Sequence, residues 1–546
     1  MQKHKIILLF IAGIITFSSC KKELDIQNTN LPTPASAQNE LGVVSLGQGG
    51  IYRNGFYDVK YYDGVYGRFW PGAIGFHEMM GDIIGVEAAN AYINQIGCPN
   101  KVTLDNNTVI LNPSAVNTQY ALLRSVNKNA QSGGNPGYYE WAYMYNMIIS
   151  ANTVLDIASK TTFSGSGAAT KLATLQAWCY FWKGFAYSHI GSFYYAGIIQ
   201  NGLQSTTNGN YVTKEAIITE SNLNFDKAST AIDAATSATD YSSILGQLIP
   251  SFLQKGKGGI LTTTMFKRNI STMKARNILV NTPLASMSAA QWNSILTLTS
   301  AGISSTDLIF TGRSDVNGDF LGTGISVADK VSSSVSATNT YKLSERFVQE
   351  FKLGDKRRTN NLLTLNTGIG QFNQDRGNSF NTRYTLANGG TGIAGTVVYS
   401  NTAAGVNEIT LAGTYEENEL MKAEANIKLG NIAVGLASVD AVRTYQGAGL
   451  IAVSGIITDP VMAYEDFRRE RRIALAFKGL SFYDARRWDL IDPAKSRTGC
   501  VVIAASGAVN TNATINYGFL DYWDVPDNEL AYNPAVTGSA PVKNPK

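Results

Sequence analysis

Apolar residues recur at helical spacing over much of this chain. After Pro136 and Gly137, the residues Trp141, Tyr145, Ile148, Asn152 and Leu155 follow one another three or four apart, which places them on one face of a helix. Beyond a Gly/Ser break at 164–167 a second stripe runs through Leu172, Leu175, Cys179, Trp182 and Ala186, with Gly191 expected to end that helix. The same pattern predicts helices over 213–235 and 265–280, a short one around Trp292 and another over 341–353. Leu420, Ala423, Glu424 and Ile427 then lead into Gly430-Asn431, and a second apolar face resumes at Ala433, Leu436, Ala437 and Ala441. That is a helix, a tight turn and a helix. Asp459 and Pro460 supply an N-cap and a first helical residue. The helix they open reads as running to Lys478 before Gly479, with Ile473, Ala476, Phe477 and Leu480 inward.

Between these helices the periodicity fades. Residues 41–135 are rich in Gly, Asn and Tyr and read as one helix with much ordered loop, and 303–410 is dominated by Ser, Thr, Gly and Asn. Loops that long inside a compact domain carry function or are disordered. The expected fold class is therefore dominated by α-helices, with helical pairs at 138–190, 213–280 and 416–446 carrying loop-rich insertions. Stacked pairs of this kind resemble tetratricopeptide repeats, at irregular spacing.

The N-terminus carries a different signal. Lys3 and Lys5 precede an apolar run from Ile6 to Phe17, followed by Ser18, Ser19 and Cys20. A bilayer span needs roughly 20 apolar residues, so this run reads as a removable signal. A cysteine at that junction can carry lipid as the new first residue; a plain secretory signal with an incidental cysteine is the alternative. The expected organisation is a signal over 1–19, a lipidated flexible tether over 20–40, and a single domain over 41–546. Cleavage would leave 527 residues (546 minus 19). It would also lower the formal charge from +4 to +2 by removing Lys3 and Lys5. No global field then favours nucleic acid. Cys98, Cys179 and Cys500 form no zinc motif or disulfide framework, and Cys179, lying within an apolar stripe, reads as buried and inert.

Candidate chemistry is sparse. The 468–487 region is strongly basic, but Glu465, Asp466, Glu470, Asp484 and Asp489 are interleaved with its arginines, the pattern of a paired, structural helix. The mature chain keeps His77 and His189, too few for most histidine-based triads or metal sites, and no second histidine completes a zinc-protease motif after His77-Glu78. Asp315, Asn317 and Asp319 alternate like the start of a calcium loop, yet Phe320 and Ser326 stand where glycine and glutamate belong. No cofactor or metal is expected. Aromatic residues are 10% of the chain, with 27 Tyr, and tyrosine offers a flat apolar face with a polar tip. Tyr57, Tyr61, Tyr62, Tyr66, Arg68 and Trp70, continuing to Glu78 and Asp82, combine such platforms with polar groups suited to a sugar ring. The same aromatics would serve equally to pack loops. Trp292 and Trp488 read as core.

The run Phe467-Arg468-Arg469-Glu470-Arg471-Arg472-Ile473-Ala474-Leu475-Ala476-Phe477, with Phe482-Tyr483-Asp484 and Arg486-Arg487-Trp488, resembles the C-terminal signature of SusD/RagB-type outer-membrane lipoproteins. Asp355 with Arg357, Glu419-Leu420, Ala423-Glu424-Ala425, Leu429-Gly430-Asn431, Pro526, Glu529-Leu530 and Asn533-Pro534 extend it in the expected order. Ala474, Lys478 and Leu480 depart from it. The resemblance implies a SusD-like fold with four tetratricopeptide-like helical pairs and a loop-rich variable ligand face. It further implies a cell-surface protein anchored in the outer membrane through Cys20, capturing oligosaccharide without catalysis and delivering it to a SusC-like TonB-dependent transporter. The ligand contacts expected on that basis are Tyr66, Arg68, Trp70, Asp82 and Tyr341, with Tyr384 and Tyr399 as later contributors. A peptide or other nutrient as cargo, or a protein-binding scaffold without a small ligand, are the alternative readings.

Overall fold

The computed structural model describes residues 37–53, 69–86, 92–112, 118–203, 206–313, 326–335, 341–370, 380–492 and 494–546. Cys20, Tyr66, Arg68 and the Asp315–Asp319 motif lie outside these residues. Helices dominate the described chain, and the long ones follow the apolar stripes. Pro136–Lys160 opens on Asn135, whose side chain accepts from the Gly137 amide at 3.0 Å, and packs along Ala168–Phe193. From there each long helix touches the next: Lys214–Ala234, Thr263–Val280, Ala289–Ser300, Tyr415–Lys428, Ile432–Tyr445 and Pro460–Ala474. The loop-rich insertion between Ala289–Ser300 and Tyr415–Lys428 leaves that succession intact. Trp292, Ile295, Met421 and Ala425 form a small second core where those two helices meet. The principal core is one continuous cluster centred on the ring-rich helix Ala168–Phe193, in which Trp178, Phe181 and Trp182 are fully buried. Cys179 is buried beside them, and burial pushes its thiol far above its ordinary pKa.

Several expectations are corrected. Gly191 does not end its helix, which continues to Phe193. A Cβ at Gly191 would stand 2.9 Å from Ile218, so this glycine admits the neighbouring helix. The helix that opens at Asp459 ends at Ala474, short of Lys478. Phe477 and Gly479 take left-handed φ values of +66° and +74°, and the Glu78 carboxylate accepts from both of their amides at 2.9 and 2.8 Å. An acceptor from a remote segment outcompetes the helical ladder there. Residues 341–353 are not a helix: Tyr341–Leu343 is a strand, Ser344 an N-cap, and only Glu345–Val348 turns. The 41–135 region holds Glu40–Leu46, Gly75–Met80, Ile93–Ile96 and Gln119–Val126 where one helix was expected, and Ala238–Leu248 is a further unforeseen helix.

The strands were also unforeseen. An antiparallel six-stranded sheet runs in the order Val109–Leu111, Lys101–Thr103, Val509–Asn516, Arg497–Ala504, Phe380–Leu386 and Leu362–Gly370. Both loop-rich insertions and the C-terminal region contribute to it. Ile84–Val86 pairs separately with Tyr341–Leu343, placing Val86 opposite Tyr341. Among the described residues, no helix is long and apolar enough to cross a membrane.

Candidate functional site

The two-stranded pairing sets the expected ligand residues Asp82 and Tyr341 apart: Tyr341 lies opposite Val86, while Asp82, just before the strand, meets Ser344 and Arg346 beyond the other end of the pairing. The helix Gly75–Met80 delivers the chain to Asp82, which takes a left-handed φ of +56°. The preceding Gly81 has no room for a side chain, since a Cβ would lie 2.2 Å from the Ser481 hydroxyl and 2.6 Å from the Ser481 backbone. Arg472 of the signature helix clamps this turn, donating to the carbonyls of Gly81 and Asp82 at 2.9 and 3.1 Å.

The Asp82 carboxylate is fully engaged. Its Oδ1 accepts from the Ser344 hydroxyl at 2.7 Å and from Arg346 at 2.8 Å. Its Oδ2 accepts from Arg346 Nε at 2.9 Å and from the Tyr517 hydroxyl, with Arg497 at 3.6 Å. Burial opposes ionisation, but Arg346, Arg497 and these hydrogen bonds prevail and hold the carboxyl well below the usual range. Glu350 anchors the adjoining ring of charge, pairing with Arg468 at 2.9 Å, Arg472 at 3.0 Å and Arg497 at 2.6 Å. Burial raises its pKa, and the three guanidiniums bring it down to about 2. A carboxylate with every lone pair occupied is a fixed support and has no oxygen to spare for cargo.

Tyr341 is equally enclosed, 9% exposed and part of the principal core. Trp70 has its backbone in the turn Phe69–Ile74 that leads into the Asp82 helix. Tyr384 and Tyr399 are half-buried. Arg358 and Arg383 stand 5.8 and 5.6 Å from the Tyr384 ring centre, within cation–π range. Glu345 fixes Arg383 through a hydrogen bond of 2.8 Å, and Arg358 donates to the Tyr384 hydroxyl at 3.3 Å. Tyr384 is thus a half-exposed ring braced by cations on a sheet strand. The Tyr399 ring lies 5.9 Å from Phe477.

The basic signature helix is an internal scaffold, as its interleaved charges suggest, although the partners differ from those sequence spacing favours. Glu465 pairs with Arg468, three residues on, while Asp466 pairs with Arg443 at 2.7 Å and with Lys352. Glu470 holds Arg357 at 2.6 Å and Arg443 at 2.8 Å. Arg357 also binds Asp355, the N-cap of its own short helix. Asp484 bridges Arg471 and Arg487, and Arg487 reaches Glu424 at 2.7 Å. Of the three departures, Lys478 pairs with Glu416 at 3.2 Å, while Leu480 and Ala474 are buried apolar contacts.

Sequence reasoning missed one polar cluster. His77 Nε2 and His189 Nδ1 each lie 2.7 Å from a different oxygen of Glu140. Burial raises the Glu140 pKa, and the two imidazoles bring it down to about 2, while burial pushes His189 below its ordinary value. The cluster joins three helices. The two histidines stood out in the sequence, but nothing in it linked them to Glu140. Among the described residues, no group of three metal-ligating side chains could hold a metal ion.

A profile of the SusD family matches residues 315–542. Among solved structures, the chain is similar to a SusD superfamily protein from Bacteroides vulgatus, at 15% identity and a TM-score of 0.51, covering 92% of this chain and 98% of that one. It is also similar to a SusD-like carbohydrate binding protein from Bacteroides fragilis, at 12% identity and a TM-score of 0.54, covering 92% and 99%. A third similar structure, solved with xylogluco-oligosaccharide, has 13% identity and a TM-score of 0.55, covering 93% and 99%. No curated protein matches the chain by sequence.

Proposed function

We propose that this chain, which a SusD-family profile matches over residues 315–542, is a cell-surface glycan-binding lipoprotein that captures an oligosaccharide and passes it to a TonB-dependent outer-membrane transporter. The observation that carries the reading is the fold shared over nearly the whole chain with a SusD-like carbohydrate binding protein and with a structure solved with xylogluco-oligosaccharide. The chemistry is compatible. A tight sugar receptor combines aromatic platforms with neutral or fixed polar groups, and it breaks no bond. Tyr66, Arg68 and Trp70 are the proposed direct contacts. Asp82 and Tyr341 are enclosed and belong to the surrounding framework, and Tyr384 with its flanking arginines is a further candidate platform. Lipid at Cys20 would tether the protein beside the transporter.

Calorimetric titration of the mature protein with plant, fungal and host oligosaccharides tests the reading. A saturable signal lost in Trp70→Ala is the expected result. Silence across the panel from a protein that melts cooperatively would refute glycan capture. Metabolic labelling with a fatty acid, expected to disappear in Cys20→Ala, checks the anchor.

A further inference from the structure

A spacious recess among the described residues shares no lining residue with the Asp82 cluster. It is an open hollow of about 420 Å³ between the helix Pro136–Lys160, the segment after Ala168–Phe193, and Asn533 near the C-terminus. That volume falls in the range of small-molecule sites, roughly 300–1,000 Å³.

Its floor is held rigid in an unusual way. Two tyrosine hydroxyls each act as donor and acceptor toward a single residue of the segment. Tyr145 Oη accepts from the Ile198 amide at 2.6 Å and donates to the Ile198 carbonyl at 3.0 Å. Tyr187 Oη does the same for Gln200, at 2.8 and 3.1 Å. Asn152 then donates to the carbonyls of Gln200 and Gly202 at 3.0 and 3.3 Å. The hydroxyls thus stand in for a neighbouring strand, and the floor needs no ordering when a ligand arrives.

The polar groups on the lining itself are uncharged, with Lys183 and Glu529 behind it, bonded to Asn201 and Asn533. Among the described residues, the lining contains no Asp, Glu, Lys or Arg. Asn208 and Asn533 are joined across the rim, the Asn208 amide donating to Asn533 Oδ1 at 2.8 Å. The side chains of Gln200 and Thr207 make no hydrogen bond with the described residues and remain available. Ile149 and Leu203, 49% and 57% exposed, add two apolar contacts. Carboxamides and hydroxyls offer a donor and an acceptor at one tip, which matches a sugar hydroxyl, while Ile149 and Leu203 suit the C–H face of a ring.

We propose that this recess is a second binding site, separate from the ligand face above, for a neutral saccharide of one or two rings. Charged sugars are disfavoured because no counter-ion lines it. Lacking an aromatic platform, it binds weakly, with a Kd on the order of 1 mM.

Hydrogen exchange of the intact mature protein, with and without millimolar xylogluco-oligosaccharide or cellobiose, tests the proposal. Protection over 198–203 and 206–208 is expected, at least tenfold weaker in Gln200→Ala, abolished by Thr207→Trp, unchanged in Trp70→Ala and absent with a galacturonate dimer. Thr207 is exposed, so its variant is expected to melt like the parent. Saccharide binding that depends on Trp70 and leaves this segment unprotected would overturn the second site while preserving the proposed function. Protection that persists in Thr207→Trp would also overturn it. Binding of no saccharide anywhere would overturn both.

Discussion

The ring-rich helix Ala168–Phe193 and the signature helix Pro460–Ala474 are both deeply buried, yet they are held by opposite means. Around the first, Trp178, Phe181, Trp182 and Phe185 pack ring against ring, with Phe181 and Trp182 centroids 5.0 Å apart. Around the second, Arg471 and Arg472 are almost wholly enclosed and each meets a carboxylate. Apolar burial is non-directional and tolerates small shifts. Buried ion pairs demand geometry, because the cost of desolvating two charges is recovered only when they are fully paired. One region is therefore held by area and the other by exact complementarity of partners drawn from distant segments.

Removing a ring should have the largest effect. Trp182→Ala deletes a fully buried indole and is expected to cost about 3–5 kcal/mol in denaturant unfolding, with little dependence of the change on pH. Glu470→Ala comes next. It leaves Arg357 and Arg443 short of a partner, but Asp355 and Asp466 stay beside them, so the expected loss is about 3 kcal/mol, at the lower end for a broken buried pair. Equal losses at pH 7 and pH 2 for Glu470→Ala would contradict the electrostatic account.

Acid should separate the two regions further. Glu350 is depressed from 4.5 to about 2 by Arg497, Arg472 and Arg468 against the opposition of burial. A depressed carboxyl contributes stability above its unfolded pKa and loses it as pH falls through the folded value. The window thus runs from about 4.5 down to 2, and the Glu350 contribution there is about 3 kcal/mol. Melting curves of Glu350→Gln should show a shallower acid slope than the parent; parallel slopes would remove Glu350 from the account. Glu140 adds to the parent slope in the same window and in the same direction.

The smallest effect is expected at the rim. Glu465 is 54% exposed and pairs with Arg468, which also holds Glu350. Glu465→Ala should cost about 0.2–1 kcal/mol. A loss comparable to that of Glu470→Ala would mean that the charge network is not graded by burial.

The legibility of the chain follows the same division. The long helices could be read because their apolar stripes are local: Trp141 to Leu155 and Asp459-Pro460 need no information from elsewhere. The arginine-rich run could be read as structural from its interleaved acids, and Asp355 stood out beside Arg357, but Glu350 and Glu424 could not be matched to their arginines. The candidate site was less legible. Asp82 looked like a free polar contact, whereas Ser344, Arg346 and Tyr517 occupy its oxygens. Tyr341 looked like the start of a helix and a ligand contact, whereas pairing with Val86 draws it into a strand.

By itself, then, the sequence determined the helical scaffold, the signature region and the resemblance it carries, because helix periodicity, caps and a dense motif are written within a few turns of chain. The tertiary structure alone decided the six-stranded sheet, the early end of the signature helix at Glu78 and the enclosure of Asp82. Each of these depends on a hydrogen-bond partner hundreds of residues away, and the cost of leaving a buried polar group unpaired is settled only when the segments meet.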